Sequence, residues 1–236
     1  MSKSMKRLTA PRSWPVPRKT DQWITKPSSG PHSIGNSMPI VNVVRDMLQV
    51  CDTAGEGKRI IGNKDVLVDR RPVKGPKLPV GLMDVVSIPK LDQNYRMLLD
   101  RKGKFRLVRI GEGEENWKLC RIENKTTVRG GMTQLNLHDG RNIIVKKNEY
   151  RTGDVLKVEV PSQKILEVFP LSKGNTAMII SGAHAGEISV IEEYDITRTP
   201  TPNIIRFRDG TSTVKDNVFV VGTSAPVIEL PEASAI

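Results

Sequence analysis

The first 42 residues of the chain contain six prolines, and this spacing constrains the fold more than any other feature of the sequence. Proline fixes φ and has no backbone N–H, so it interrupts helices and central strands alike. No helical or strand periodicity survives in this segment, which predicts an extended arm that cannot bury a core by itself. The interrupting residues are Pro11, Pro15, Pro17, Pro27, Pro31 and Pro39.

Two of the three tryptophans, Trp14 and Trp23, lie in this arm among arginines and lysines. A segment that stays disordered has little use for such side chains. Flat aromatic groups beside cations suit stacking and pairing within folded RNA. We therefore expect the arm to bind RNA and to become ordered only on it, with a free basic tail as the alternative.

The charge of the chain is unevenly distributed. The net charge is +11 with a pI of about 9.8. Residues 1–42 hold seven Lys or Arg against one acid and residues 43–108 hold fourteen against eight, whereas residues 171–236 hold five against eight. The positive field thus belongs to the first 108 residues, where it can neutralise phosphates and release counterions.

The composition is that of a folded chain. Hydrophobic residues make up 37% of the sequence, and 19 glycines bring the apolar share to that of ordinary globular proteins. Aromatic residues reach only 4%, which favours several modest cores over one large core. A length of 236 residues has room for one large domain or two to three small ones.

The sequence predicts a soluble, unexported, cytoplasmic protein. Cys51 and Cys120 are too few for a disulfide framework and form no CxxC pair. No run approaches the roughly 18 apolar residues of a membrane span, and the N-terminus lacks the apolar segment of a signal peptide. The prolines also disfavour the amphipathic helix of a transit peptide.

Two helices are predicted after the arm. The first helix is indicated by five apolar residues at helical spacing, Ile40, Val43, Val44, Met47 and Leu48.

The second helix is predicted from a capping-box pattern. Thr53 is followed three residues later by Glu56, which opens a helix through Ile61 that stops at Asn63. A strand and turn should follow, because Val66, Val68 and Val73 alternate around Arg70, Arg71 and Pro72.

The rest of the chain has the pattern of strands. A hairpin with a basic tip at residues 100–104 is expected between two of them, and further turns are expected at Asp139-Gly140 and Asp209-Gly210. Five short strands in the last third favour a small closed barrel, and the acidic segment after Gly222 should be a loosely held tail. The predicted strands are Val85–Ile88, Tyr95–Leu99, Phe105–Val108, Thr133–Leu137, Ile143–Val145, Val155–Val160, Thr176–Ile180, Ile188–Ile191 and Ile204–Phe207.

Enzyme motifs fail on inspection. The string Thr53–Lys58 has Asp52 where a phosphate-binding loop needs glycine and Arg59 where it needs Ser or Thr. Residues 111–113 lack the third glycine of a dinucleotide loop and carry carboxylates that would repel a pyrophosphate. The histidines are isolated, no zinc spacing occurs and no nucleophile elbow is present, so we expect no enzyme, no metal site, no cofactor and no small-molecule substrate.

Several strings resemble a known family. The strings are KRLTAPR at Lys6–Arg12 with Trp14, PSSGPH at Pro27–His32, GLMDVVSI at Gly81–Ile88 and KLC at Lys118–Cys120. Together they resemble small-subunit ribosomal protein four of the archaeal and eukaryotic type. The resemblance covers essentially the whole chain, and the length is similar to that of archaeal members. It implies binding to small-subunit ribosomal RNA beside neighbouring ribosomal proteins.

The resemblance also implies an architecture. The fold class would be mainly β with a small α+β module: an extended N-terminal arm (1–42), a helix-helix-strand RNA-binding module (43–108), a central β domain (109–170), a KOW barrel of Src-homology-3-like type (171–222) and an acidic tail (223–236). The segment Gly174–Ile191 resembles the KOW module, but its loop at 181–186 is poor in basic residues. Net charge argues against a broad RNA contact there.

The candidate RNA-binding residues are basic, aromatic or small polar side chains of the arm, the second helix, the Arg70 turn and the hairpin tip. They are Lys6, Arg7, Arg12, Trp14, Arg18, Lys19, Trp23, Lys26, Ser28, Ser29, His32, Lys58, Arg59, Lys64, Arg70, Arg71, Arg101, Lys102 and Lys104.

The predicted function is therefore a structural component of the small ribosomal subunit. A free translation or transcription factor with a KOW barrel is one alternative, and an RNA-modifying enzyme that captures its substrate with the helix-helix-strand module is the other. The second would need an acidic catalytic motif beside a large α/β domain, for which this length leaves little room.

Overall fold

The structure is a computed structural model, and it describes residues 5–230. Two compact units emerge, one formed by residues 5–98 and 104–118 and the other by residues 99–103 and 119–230. Strands dominate both units, in agreement with the predicted mainly β class.

The first nine strands form one five-stranded sheet of order β5-β4-β7-β8-β9 and two short ladders, β1-β2 and β3-β6. They are β1 (Met5–Lys6), β2 (Trp23–Ile24), β3 (Ser37–Pro39), β4 (Leu67–Val68), β5 (Arg71–Pro72), β6 (Pro79–Gly81), β7 (Val85–Ile88), β8 (Gln93–Leu99) and β9 (Phe105–Arg109). The helices are α1 (Ile40–Asn42), a π-helical turn (Val43–Met47) and α2 (Ala54–Gly62), with 3-10 turns at Arg7–Thr9, Ile34–Asn36, Pro89–Leu91 and Glu114–Asn116.

The first predicted helix has the expected buried side but a different backbone. Ile40, Val43 and Val44 are fully buried, as their spacing predicted. Only three residues are α-helical, and the Leu48 N–H then bonds to the Val43 carbonyl at 3.0 Å, which closes a wider π turn. Apolar spacing identifies the buried face but does not distinguish these two hydrogen-bond patterns.

The capping box that begins α2 is confirmed. The Glu56 N–H donates to Thr53 Oγ1, and the Glu56 carboxylate accepts from the Thr53 N–H. Gly57 has a packing role, because a Cβ there would lie 3.1 Å from Val41 Cγ2 and 3.2 Å from Cys51 Sγ. Asn63 ends the helix, as predicted.

The N-terminal arm packs into the first unit, whereas the sequence predicted an arm that becomes ordered only on RNA. Trp14 is 2% exposed, and its Nε1–H donates to the Ser37 carbonyl at 2.7 Å. The Phe105 N–H of β9 bonds to the Ser13 carbonyl, and the Ser28 N–H bonds to the Lys77 carbonyl. Proline excludes regular helices and long strands from the arm, but short extended segments still pair with one another in the β1–β2 ladder and with other parts of the first unit.

An ionic cluster of four side chains, His32, Asp69, Asp84 and Lys118, lies in the interior of the first unit. Lys118 Nζ donates to Asp69 Oδ2 at 2.7 Å and to Asp84 Oδ1 at 2.8 Å. His32 Nε2 lies 2.9 Å from Asp84 Oδ2, which also accepts the Gly81 N–H at 2.9 Å. Two carboxylates thus face two basic groups, and the cluster is neutral when His32 is protonated.

The neighbours of Asp84 keep it ionised. Burial alone would raise the pKa of its carboxyl. The positive charges of His32 and Lys118, with the hydrogen bonds from His32 and Gly81, outweigh burial and hold that pKa well below its usual range. Gly81 is required beside the imidazole, because a Cβ there would meet the His32 ring at 2.5 Å.

The second half of the chain forms two five-stranded sheets, of order β12-β11-β10-β13-β14 and β18-β17-β16-β15-β19. The strands are β10 (Trp117–Thr127), β11 (Thr133–Leu137), β12 (Asn142–Val145), β13 (Val155–Glu159), β14 (Ile165–Phe169), β15 (Thr176–Ile179), β16 (Ile188–Asp195), β17 (Ile204–Phe207), β18 (Ser212–Val214) and β19 (Val218–Gly222). A 3-10 turn at Lys215–Asn217 joins the last two.

Sequence patterns located most of these strands but missed β10, β14 and β19. Alternating burial in β11 packs Leu135 and Leu137 into a core with Cys120, Ile122 and Leu156. The turn at Gly140 has a φ of 74°, which fits the predicted Asp-Gly hairpin.

A buried arginine ties β10 to the segment before β19. Arg121 Nη1 donates to the carbonyls of Asp216 at 2.7 Å and Val218 at 2.9 Å, while Glu123 pairs with Nη2 at 2.6 Å. Such a guanidinium satisfies several carbonyls at a strand end that the sheet ladder leaves open.

The expectation of a loose segment after Gly222 is wrong for residues 223–228. The Val227 N–H bonds to the Val221 carbonyl at 2.9 Å, and Ile228 is buried. Residues 231–236, the rest of the predicted acidic tail, lie outside the described residues.

Trp14 and Trp23 form a matched pair for testing the packing of the arm. Trp14→Ala should lower the free energy of unfolding by about 3–5 kcal/mol, because it leaves a cavity at a buried site. Trp23→Ala should change it by about 0.5 kcal/mol or less, since Trp23 is 52% exposed. Urea unfolding of both variants measures the difference, and equal losses would contradict the packing described here.

The ionic cluster should make the protein acid-sensitive. The folded-state pKa of Asp84 lies below its unfolded value of about 3.9, so its contribution is fully present above that pH and is lost as the pH falls below it. Asp84→Asn should cost about 3–5 kcal/mol at neutral pH, because Lys118 and His32 lose a buried counter-charge.

The same variant should show a shallower loss of stability between about pH 4 and pH 2 than the wild type. Urea unfolding at a series of pH values measures both effects. An unchanged acid slope in Asp84→Asn would show that this carboxylate does not contribute to acid unfolding.

Candidate nucleic-acid interface

Most of the predicted RNA-binding side chains lie on the protein surface. In the first unit the exposed or half-exposed ones are Lys6, Arg12, Arg18, Lys19, Trp23, Lys26, Ser28, Ser29, Lys58, Arg59, Lys64, Arg70, Arg71 and Lys104. In the second unit Arg101 and Lys102 are exposed.

Three predicted residues are instead buried. Arg7 is 5% exposed; it pairs with Asp21 at 3.2 Å and also contacts the Pro17 carbonyl. Trp14 bonds to Ser37, and His32 belongs to the ionic cluster. These side chains are held inside the first unit, so their proposed role changes from RNA contact to fixing the arm. The sequence shows only that they are basic or aromatic, which is compatible with both roles.

The helix α2 turns its basic residues away from the core. Gly57 and Ile61 are buried, whereas Lys58 and Arg59 are exposed on the other side. Gly55 and Gly62 flank these cations, and a Cβ at Gly62 would meet nothing within 4 Å. This face therefore combines two positive charges with open helix backbone, which lets a phosphate approach closely.

A tight turn carries Arg70 and Arg71. Asp69 and Arg70 both have positive φ, 49° and 59°, as the two central residues of the β4–β5 hairpin. Asparagine, aspartate and glycine are the usual residues in such primed turns, so an arginine here is uncommon.

The turn is held by the ionic cluster. Asp69 Oδ2 accepts from Lys118, and Asp69 Oδ1 accepts from the Val85 N–H at 3.1 Å. The Arg70 guanidinium lies 3.5 Å from Glu115 and remains 42% exposed. Interior contacts therefore fix the backbone that presents a surface cation.

Two exposed lysines were not among the predicted candidates. Lys74 and Lys77 lie on the segment between β5 and β6, and the Ser28 Oγ donates to the Lys77 carbonyl at 3.0 Å. That bond brings the PSSGPH segment of the arm beside this basic segment. Their charge was visible in the sequence, but the neighbourhood of residues 28 and 77 was not.

The arm also presents an aromatic surface. Trp23 pairs with Lys6 in the β1–β2 ladder, and both side chains are exposed. The Arg18 guanidinium donates to the carbonyls of Leu8 and Pro11 and so stabilises the turn between them. An exposed indole beside a lysine is an arrangement on which a base can stack while a phosphate is neutralised.

Cys120, His138 and Asp139 bring potential metal ligands within 4.8 Å of one another. Their contacts are those of a hydrogen-bonded core. His138 Nδ1 accepts the Arg121 N–H at 3.2 Å, and Asp139 Oδ2 pairs with Arg141 Nε at 3.2 Å. An accepting Nδ1 leaves the ring proton on Nε2, and a guanidinium beside the carboxylate repels a cation, so we assign no metal to this group.

Among residues 5–230, the helices are all too short or too polar to span a membrane.

Comparison with known proteins agrees with the motifs. Residues 91–165 match the model of ribosomal family S4e, and residues 1–35 match the RS4NT domain model. Small ribosomal subunit protein eS4 of Methanothermobacter thermautotrophicus is 47% identical over 97% of this chain and 96% of its own length. The eS4 protein of Methanocaldococcus jannaschii is 44% identical over 96% of both chains.

A solved structure is also similar. The crystal structure of 30S ribosomal protein S4e from Thermoplasma acidophilum matches with a TM-score of 0.71 and 34% identity, over 80% of this chain and 96% of that one. Since relatives that are 47% and 44% identical cover nearly the whole chain, and two domain models and a solved structure match parts of it, the chain belongs to the S4e family of ribosomal proteins.

Proposed function

We propose that this chain is a structural, non-enzymatic constituent of the small ribosomal subunit that binds and stabilises small-subunit ribosomal RNA during assembly and translation. The observation that carries the proposal is its similarity to small ribosomal subunit proteins eS4 over nearly their whole length. Its partners are that RNA and neighbouring ribosomal proteins, and its location is the cytoplasm, within the small subunit.

The exposed cations of the first unit support this function. Lys58 and Arg59 lie on the outer side of α2, Arg70 and Arg71 lie on a fixed turn, and Lys77 lies beside the PSSGPH segment. Together these groups supply the charge that phosphate binding requires, and Trp23 supplies a stacking surface. We assign the RNA-binding role to these residues with Lys6, Arg12, Arg18, Lys19, Lys26, Ser28, Ser29, Lys64, Arg101, Lys102 and Lys104.

The proposal assigns different shares of the RNA affinity to different segments of the chain. The arm (1–42) and the helix-helix-strand module (43–108) provide most of the RNA affinity. The central β domain (109–170), the KOW-type barrel (171–222) and the tail (223–236) contribute contacts to RNA or protein that depend less on net charge. Truncating the chain at residue 108 would remove Lys118, which completes the ionic cluster of the first unit, so the two parts are not tested as separate fragments.

Paired charge removals in the full-length chain test the assignment. Lys58→Gln with Arg59→Gln should make the negative slope of log K against log salt shallower by about 1.5 for binding to archaeal small-subunit ribosomal RNA, if each cation meets one phosphate. The matched control is Lys146→Gln with Lys147→Gln, which removes the same charge from exposed positions after β12. Equal slopes for the two variants would refute the assignment of α2 to the RNA surface.

Cosedimentation separates the constituent from the alternative functions. The native protein should remain with small subunits after washing in high salt, because an assembled constituent is held by many simultaneous contacts. A free translation or transcription factor, or an RNA-modifying enzyme, should wash off. Quantitative release in high salt would contradict the proposed function.

A further inference from the structure

The tip of the β8–β9 hairpin packs directly on the loop between β15 and β16, within the second unit. A Cβ on Gly186 would lie 1.7 Å from the Asp100 carbonyl oxygen and 3.0 Å from Arg101 Cα. On the other side of the contact, a Cβ on Gly103 would lie 3.2 Å from Ala185 Cβ. Backbone therefore meets backbone, and only glycine fits at position 186.

Both partners of this contact are internally fixed. The Gly186 N–H bonds to the Ile179 carbonyl at 2.7 Å, and the Glu187 N–H bonds to the His184 carbonyl at 3.1 Å. In the tip, Asp100 Oδ1 accepts the Lys102 N–H at 2.8 Å, and the Gly103 N–H bonds to the Asp100 carbonyl. The contact joins two turns that each have a defined shape.

The contact changes the charge of the loop surface. The loop at 181–186 has no Lys or Arg, and residues 171–236 hold more acids than bases. The tip adds Arg101 and Lys102, both exposed. The Glu187 carboxylate lies 3.0 Å from His184 Nδ1.

We propose that the hairpin tip and this loop form one composite phosphate-binding site, in which Arg101 and Lys102 supply the charge and the glycine-containing loop holds them in place. The site would take the phosphodiester backbone of RNA. The proposal rests on the proposed function and adds a contact to it in a region where net charge argues against one. Gly186 acts here as a positioning residue, because it touches the tip and not the phosphate.

This ligand follows from the chemistry of the surface. Arg101 and Lys102 are exposed, and so are residues 181–183 of the loop on which the tip packs, so the guanidinium and the ammonium group can donate to phosphate oxygens. Gly182 has a φ of 97°, which opens the loop backbone to close approach. An acidic segment of another protein would meet the same cations and is the competing occupant.

The test uses full-length variants and archaeal small-subunit ribosomal RNA as the probe. Arg101→Gln with Lys102→Gln should make the negative slope of log K against log salt shallower by about 1.5, because two phosphate contacts are lost. Gly186→Ala should give a similar loss by displacing the tip. The three substitutions together should lose no more than the tip pair alone, since both act on one site.

Gly174→Ala is the matched control. Gly174 has a φ of 89° against 86° for Gly186, so alanine is equally strained at both positions, but a Cβ on Gly174 meets nothing within 4 Å. Its RNA affinity should equal that of the wild type. If Gly186→Ala binds RNA as well as Gly174→Ala does, or if its loss adds fully to that of the tip pair, the composite site is wrong.

A disulfide provides a second test in case Gly186→Ala fails to fold. Gly103→Cys with Ala185→Cys places two Cβ atoms about 3.2 Å apart, close to disulfide distance, while the native Cys51 and Cys120 are buried. The oxidised protein should form the bond and keep its RNA affinity. Failure to cross-link, or loss of RNA binding once the tip is locked, would overturn the proposal.

The outcomes separate this inference from the proposed function. A wild-type chain that does not bind the RNA refutes the proposed function itself. A wild type that binds, with tip variants that bind equally well, refutes only the composite site. Crosslinks from residue 102 in assembled subunits that reach a neighbouring protein and not RNA would identify the competing occupant and also refute it.

Discussion

The first unit depends on a buried ion network in which Lys118 joins two aspartates and one of them joins a histidine. Lys118 Nζ lies within 2.8 Å of carboxylates from two separate segments, at residues 69 and 84. A lysine that is 1% exposed is stable as a cation only when such partners compensate for its lost hydration. Each partner is therefore required by the others, and removing one leaves a buried charge without its counter-charge.

This network links segments that are far apart in the sequence. His32 brings the arm against β6, where Gly30 and Gly81 leave no room for side chains. Asp69 fixes the left-handed turn that presents Arg70, and Lys118 is the second residue of the long strand β10. The surface proposed for RNA is thus supported from inside, because the arm and the Arg70 turn are both bonded to this network, through His32 and Asp69.

Local patterns predicted local structure well. The capping box at Thr53 and Glu56, the strand β11 and the Asp-Gly turn at residue 140 all depend on residues within a few positions of one another. Long-range pairing was not accessible in the same way. The burial of Trp14 depends on Ser37, and the role of His32 depends on residue 84, so the chemical type of each side chain was known but its partner was not. The π turn at 43–47 and the strands β14 and β19 were not predicted for a related reason. Apolar runs of that length are compatible with several hydrogen-bond patterns.

The hydrogen bonds of the arm anchor it in the free protein, so the cationic surface exists before RNA binds. Native-state amide exchange of the full-length protein without RNA measures this anchoring. We expect the amides of Ser28, Ile40 and Gly81, bonded to Lys77, Leu78 and Asp84, to exchange only through large-scale unfolding, and RNA to add little protection there. Exchange of the Ser28 and Ile40 amides at the rate of an unfolded chain, with protection appearing only on RNA, would contradict it.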